Sequence, residues 1–376
     1  MVAASANRQT LLILTHNLDI GGVQKNVAAL ANDQINYRKV IIVLLEDDKE
    51  IRYSLNPNIE VKLITLLLID QKDYETGLKL FNYRLQQLNT VFNGISADIA
   101  LSFEDYSNIL LMQAKFTGKK VLSCRVSLNH YQNFPKTHLL PPEFYYDNIA
   151  HYYPSADAII CVNRLIASEL RQRLDHAGIH VIYTGLDFAG IELYKQQPVE
   201  ITQPFLLNCS RLHPQKGLPV LFKAFARIAG QVPHDLAIIG DGPQRQELIE
   251  LANTLGISQR LHLLGKLNEP YAYLSAADLF VFPSLNEGFS NAVLEALYCG
   301  AGVIASRYTG HEEILKDYGN LVAINDVEAL AAKMLHFLTD TPALARLKNQ
   351  QKRDAGGFDV KNTCAQYQSL LASLYQ

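Results

Sequence analysis

The sequence predicts an α/β protein made of two parallel-sheet domains. Three observations carry that expectation. Short apolar runs alternate with amphipathic segments along most of the chain, the pattern of repeated βαβ units. The alternation stops in one polar stretch and then restarts. The 376 residues exceed what one small core takes, and about 150 residues per domain gives two or three, of which two fits the single restart.

The first-half runs are 11–14, 40–45, 99–102, 121–123 and 158–162. Between the first two, GGVQKNVAALAND sets Val23, Val27, Leu30 and Ala31 on one helical face, as a helix packed on a sheet requires. The second half repeats the pattern with 205–209, 236–239, 261–264, 279–282 and 303–305, and helix-like stretches such as LPVLFKAFARIA and QRQELIELANTL follow them. The break at 189–204 contains YKQQPVEITQP, polar and with two prolines, and reads as a linker between a domain 1–190 and a domain 191–359. In the tail 360–376, Cys364, Tyr367, Leu370, Leu371 and Leu374 have helical spacing. Periodicity leaves open whether that helix stays with the second domain or packs back on the first. Two such domains facing each other would hold a ligand in a cleft at the carboxyl ends of their strands, with 189–204 and the terminal helix as hinges for closure.

Composition narrows the function classes. Hydrophobic residues at 48% and charged residues at 19% are ordinary for a soluble globular protein and exclude disordered and fibrous classes. A net charge of -3 argues against a nucleic-acid partner. The five cysteines, Cys124, Cys161, Cys209, Cys299 and Cys364, form no C-x-x-C pair, which points to a reducing compartment and away from a structural zinc. The run 11–14 is too short for a signal-peptide core, and nowhere do about 18 apolar residues run together. One amphipathic face would still suffice for a membrane-surface role.

The chemistry-bearing stretch is FPSLNEGFSNAVLEALYCGAGVIAS, residues 282–306. If 279–282 is a strand, Glu287 stands in its carboxyl-end loop, Ser290 or Asn291 caps the next helix, and Glu295 lies one turn inside it. A helix start offers backbone N–H groups and partial positive charge to an anion. A carboxylate accepts two hydrogen bonds from a vicinal diol, so two acids here could hold two hydroxyl-bearing parts of one long ligand with a phosphate between them. The structural account is that the helix dipole alone favours a glutamate near a helix start. The stretch SRLHPQKGLPVLFKAF adds Arg211 and Lys216 at another strand's carboxyl end, the two cations a diphosphate needs, unless they are solvated loop charges. AIIGDGPQRQELIEL adds a Gly-Asp-Gly turn, which alone is weak evidence.

In their order, SRLHPQKG, GDGPQRQEL and LNEGFSNAVLEAL resemble the C-terminal half of retaining glycosyltransferases of the family-4 type, which have the GT-B architecture of two facing Rossmann-like domains. IGGVQKN is similar to that family's glycine loop after the first strand. The matching motifs are dense from 205 to about 321 and thin in the first half. The resemblance implies that Arg211 and Lys216 neutralise the donor diphosphate, that Glu287 contacts the transferred sugar, and that Glu295 holds the ribose hydroxyls. Backbone amides near Phe289, Ser290 and Asn291 would contact diphosphate and sugar, and Gly21 and Gly22 would lie beside the donor phosphate.

The family histidine after an N-domain strand corresponds either to Val126, with Arg125 beside it, or to His130. Glu104 and Asp105 are candidates to orient an acceptor hydroxyl, with helix capping as the alternative. GHEEIL, 310–315, resembles a further turn of the family pattern without an assigned role, and it lacks the second histidine of a zinc-protease helix. No D-x-D motif is present, in agreement with metal-independent transfer and no cofactor, the nucleotide sugar being a substrate.

The implied activity is transfer of a hexosyl or N-acetylhexosaminyl group, with retention, from a UDP-linked donor. The implied acceptor is a glycan or lipid-linked glycan of polysaccharide or lipopolysaccharide biosynthesis, met in the cytoplasm, with peripheral contact at the inner face of a membrane. Two other readings stay open: a catalytically silent nucleotide-sugar-binding protein, and more distantly a nucleotide-sugar 2-epimerase.

Overall fold

The apolar runs of the first half become strands of one parallel sheet. The computed structural model describes residues 9–33, 37–46, 50–64, 74–133 and 140–375. Strands β1 (Gln9–Thr15), β2 (Tyr37–Leu44), β3 (Glu60–Leu63), β4 (Ile99–Phe103), β5 (Lys119–Cys124), β6 (Ala158–Cys161) and β7 (Ile179–Val181) lie in the order β3-β2-β1-β4-β5-β6-β7. A second parallel sheet takes β8 (Phe205–Cys209), β9 (Asp235–Ile239), β10 (Leu261–Leu263), β11 (Leu279–Phe282), β12 (Gly302–Ser306) and β13 (Leu321–Val322) in the order β10-β9-β8-β11-β12-β13. In each sheet the order reverses once, between β1 and β4 and between β8 and β11. Loops leaving two such strands diverge to opposite faces and leave a crevice at their carboxyl ends.

Helices cover both faces, so the central strands are buried on both sides and read as continuous apolar runs. LLIL in β1, LFVF in β11 and the buried residues of β12 show this. The strands that the apolar pattern did not predict are β3, β7 and β13, all at sheet edges. Each is short, and β3 and β7 carry half-exposed or exposed residues, so they lack the run that marks a central strand. On one face of the second sheet, helix Leu218–Ile228 buries Leu218, Leu221, Phe222 and Phe225. On the other, helix Asn291–Cys299 buries Val293, Leu294 and Leu297. Truncating one such phenylalanine to alanine costs about 3–5 kcal/mol.

The chain divides into unit 1, Met1–Gly185 with Val360–Gln376, and unit 2, Leu186–Asp359. The expected linker 189–204 is corrected here. Helix Phe188–Tyr194 buries Ile191 in the core of unit 2, and Tyr194, Val199 and Ile201 pack on the same cluster. The two prolines of that stretch drew attention away from the amphipathic spacing of Phe188, Ile191 and Tyr194. Helix Val360–Ser373 packs on unit 1, where Cys364, Tyr367 and Leu371 join the core of the first sheet and Tyr367 stacks on Phe103 at 6.4 Å. The charged stretch EDDKE, 46–50, which the sequence reads as a solvated loop, lies in part outside the described residues.

Candidate donor site

Unit 2 brings Arg211, Lys216 and Glu287 to the carboxyl ends of β8 and β11, its switch point. After β8, Ser210 N–H donates to Ile239 O at 2.9 Å and Leu212 N–H to Asp241 O at 3.0 Å, which fixes the Arg211 loop on the turn after β9. A Cβ at Gly240, whose φ is 137°, would stand 1.9 Å from Ser210 O. The Gly-Asp-Gly turn is therefore a backing for the Arg211 loop, made of glycine because no side chain fits there. Arg211 itself is exposed, beside buried Leu212.

The chain then makes one 3-10 turn, Pro214–Lys216, and ends it at Gly217 in the left-handed conformation with φ 63°. A Cβ on Gly217 would meet Pro283 O at 2.3 Å, so the turn lies directly on the loop that follows β11. Two hydrogen bonds join these loops, Leu285 N–H to Gln215 O at 2.8 Å and Gln215 Nε2 to Asn286 O at 2.6 Å, and Ser284 Oγ lies 3.0 Å from Gln215 O.

This joining sets Lys216 Nζ 2.5 Å from Glu287 Oε1, with side chains only 15% and 11% exposed. Ser284 Oγ donates to the same oxygen at 2.6 Å, and Lys216 Nζ lies over the Phe282 ring, 5.5 Å from its centre. Burial, the largest influence on Glu287, pushes its carboxyl up, but Lys216, Ser284 and, in its charged form, the nearby His311 hold it below the usual carboxylate value. Glu287 is therefore an ionised, desolvated carboxylate with a cation on it. Lys216 is a cation that a more negative ligand can draw away.

Glu295 is buried in helix Asn291–Cys299 and accepts from Tyr271 Oη at 3.4 Å. Ser290 occupies the N-cap position with extended backbone and makes no side-chain cap hydrogen bond, while Asn291 opens the helix. Phe289 is half-buried and its ring meets Phe358 at 5.7 Å.

The other candidates belong to unit 1. Gly21 precedes helix Gly22–Asn32, and its N–H and C=O each bond the Tyr53 hydroxyl at 3.0 Å. Glu104 follows β4 with φ 71°, and its carboxylate lies 3.4 Å from His16 Nδ1. Asp105 is buried and accepts from Tyr131 Oη at 2.6 Å and Tyr153 Oη at 2.7 Å, with Asn108 Nδ2 at 3.4 Å. That carboxylate is spent inside the fold, and the expectation that it faces an acceptor is corrected on that ground. Arg125 donates to Thr184 Oγ1 at 2.9 Å and sits 5.9 Å from the Phe103 ring centre. His130 is buried in the short helix Asn129–Asn133, and Val126 is half-buried in the preceding loop.

Three side chains of unit 2 escaped the sequence reading: Ser284 and Tyr271, which bond the two glutamates, and His311, whose influence reaches Glu287. Only His311 left a signal, in the GHEEIL turn.

Residues 191–354 match the model of the family described as glycosyl transferases group 1. The chain is 25% identical over 366 residues to the N-acetylgalactosamine-N,N'-diacetylbacillosaminyl-diphospho-undecaprenol 4-alpha-N-acetylgalactosaminyltransferase of Campylobacter jejuni, covering 93% of this chain and 96% of that one. Among solved structures, sucrose-phosphate synthase from Thermosynechococcus elongatus superposes with a TM-score of 0.82 at 18% identity, covering 98% of this chain and 99% of its own. HepE from Anabaena, solved with UDP and glucose, gives 0.76 at 20% identity, covering 97% and 100%. The chain is a glycosyltransferase of the GT-B fold, and its second unit carries the glycosyl transferases group 1 match.

Proposed function

We propose that this enzyme moves a sugar from a UDP-linked donor, with retention and without a metal, to a glycan acceptor carried on a lipid. The observation that carries the reading is the Lys216–Glu287 pair, seated with exposed Arg211 at the switch point of unit 2. In the donor complex Arg211 and Lys216 meet the diphosphate, the start of helix Asn291–Cys299 adds backbone N–H groups, Glu295 takes the ribose hydroxyls and Glu287 a sugar hydroxyl. As the glycosidic bond breaks, negative charge grows on the diphosphate, and donors already in place stabilise it without reorganising. The two acids bind hydroxyls rather than pass protons, so the two-carboxylate glycosidase scheme does not apply.

Support for UDP comes from the neighbour solved with that nucleotide, and support for a lipid-linked acceptor from the Campylobacter relative, whose name specifies a diphospho-undecaprenol substrate. No helix among the described residues is long and apolar enough to cross a membrane. A lipid-linked acceptor would itself bring the enzyme to the inner face of a membrane, as a peripheral contact. The absence of a D-x-D motif supports cationic side chains, rather than a divalent ion, on the diphosphate.

A panel of UDP-, GDP- and ADP-sugars without added metal, read by thermal shift and by slow hydrolysis, tests this. Stabilisation by UDP-sugars and sugar release that Arg211→Ala lowers about a hundredfold are the expected result. Binding without release or transfer to any lipid-linked acceptor would leave a silent nucleotide-sugar-binding protein, and GDP- or ADP-sugar selectivity would replace the donor.

A further inference from the structure

His311 is the buried titratable group next to the donor site to which the mechanism gives no task. It is 0% exposed in the short helix Thr309–Glu312. That helix is pressed onto the Glu287 loop, since a Cβ on Gly310 would stand 2.3 Å from Gly288 O and 3.3 Å from Glu287 O. Ser306 Oγ also donates to Ser284 O, which ties the end of β12 to the same loop. The imidazole and Lys216 both lie against Phe282, with ring centres 5.6 Å apart for His311 and Nζ 5.5 Å from the ring centre for Lys216.

The tautomer follows from geometry. Nδ1 stands 2.8 Å from Ser306 O, and a carbonyl only accepts, so Nδ1 carries the hydrogen. In the neutral ring Nε2 is then bare, and it is buried without a hydrogen-bond partner. A buried acceptor left unmatched is destabilising. Such an atom, on a helix packed against the Glu287 loop, has a use if the ion pair opens.

We propose that His311 is a positioning residue for donor binding: when the donor diphosphate draws Lys216 off Glu287, His311 takes one proton on Nε2 and replaces Lys216 as the cationic partner of the Glu287 carboxylate. The proposal rests on the reading that Lys216 meets the diphosphate. One Nζ–H···Oε1 bond breaks and one Nζ–H···O–P bond forms. A proton from solvent adds to the Nε2 lone pair, and the new Nε2–H donates to Glu287. The diphosphate's negative charge offsets the added positive charge.

Electrostatics agree in sign. Burial pulls the His311 imidazole below its ordinary value, Ser306 O and Glu287 pull it up, and Lys216 pulls it down. Glu287 comes from the loop after β11 and Lys216 from the turn after β8, and the Tyr308 ring centre lies 6.4 Å from that of the imidazole. Removing Lys216 from the pair favours protonation. The exchange keeps Glu287 ionised and oriented for the sugar while Lys216 serves the phosphate.

Calorimetry of UDP binding near pH 7, in two buffers of different ionisation heat, reads the proton directly. Wild type is expected to take up close to one proton more than His311→Gln, and its UDP affinity to fall by up to about tenfold per pH unit between the free and bound values of His311. The nucleotide's own phosphate titrates in both proteins and cancels in the difference. Lys216→Met supplies a second route that leaves His311 in place: without the competing ammonium His311 is already charged in the free enzyme, so the extra uptake disappears there too. Equal uptake in wild type and His311→Gln overturns the proposal while leaving the donor reading intact. Failure of UDP, GDP and ADP all to bind wild type overturns both.

Discussion

At the switch point of unit 2 a lysine and a glutamate meet at 2.5 Å, whereas at that of unit 1 two neighbouring carboxylates part company. Glu104 turns outward from a backbone φ of 71° to lie 3.4 Å from His16, and Asp105 turns inward to the hydroxyls of Tyr131 and Tyr153. A non-glycine residue held at positive φ stores about 1–3 kcal/mol, so the strain falls on the outward carboxylate. The contrast between Glu287 and Asp105 is sharper still, because both are buried and only one faces a cation. At Glu287 burial is the largest influence but Lys216 and Ser284 together outweigh it and leave the acid easy to ionise, while burial dominates at Asp105 and leaves it hard to ionise despite its hydrogen bonds. A carboxylate neutralised by one ammonium can exchange that partner for a ligand. One neutralised by hydroxyls packed in a core has nothing to give up. Burial alone therefore does not identify an ionised acid; the charge of its partner does.

The largest effect expected from this comparison is at Lys216. Lys216→Met should lower transfer about 10²–10³-fold, since it removes a donor aimed at the charge that grows on the leaving diphosphate. Steady-state rates at saturating donor measure it. At Asp105 the expected effect is of the other kind. Asp105→Ala strands two buried tyrosine hydroxyls and should cost about 3 kcal/mol. For a unit of this size that lowers Tm by roughly 6–12 °C, with the rate per folded molecule unchanged. Calorimetry and activity below the transition separate the two. A folded Asp105→Ala enzyme with lost transfer would return Asp105 to the site and break the comparison.

How much of this was legible beforehand differs between the switch points for a physical reason. The donor-side residues sit in loops whose form is dictated locally: Gly217, inside the motif that named Arg211 and Lys216, and Gly240, in the Gly-Asp-Gly turn, both mark close backbone approaches. The central strands were legible because burial on both faces writes an unbroken apolar run, while β3, β7 and β13 were not because an edge needs no such run. FEDYSN, by contrast, gives two acids in sequence and no sign that the backbone kinks at Glu104, sending one outward and one inward. The Asp105 partners Tyr131 and Tyr153 lie 26 and 48 residues away, beyond any local pattern. Tyr271, which bonds Glu295, lies 24 residues from it and was hidden by the same distance. The division near 185 rather than 190 was missed because prolines outweighed the spacing of Phe188, Ile191 and Tyr194.

The smallest expected effect tests the two carboxylates by the sign of their pH response. Asp105 has a folded pKa raised by burial, so its stabilising contribution is complete below the unfolded value of about 3.9 and is lost as pH rises through the folded value. The stability of wild type relative to Asp105→Asn should therefore shrink as pH climbs from about 4. Glu287 has a folded pKa held down, chiefly against burial, by Lys216 and Ser284, so its contribution is present above the unfolded value of about 4.3 and is lost as pH falls through the folded one. Relative to Glu287→Gln, wild type should gain stability up to about that pH and then level off. A tenfold difference in proton affinity between the folded and unfolded chain is worth about 1.4 kcal/mol, which denaturant unfolding resolves between pH 3 and 7 if both differences are taken in the same buffers. Opposite slopes would establish that two equally buried acids are held in opposite charge preferences by their partners. Parallel slopes would mean that the Lys216 ammonium does not outweigh burial at Glu287, and the exchange of partners on donor binding would lose its starting point.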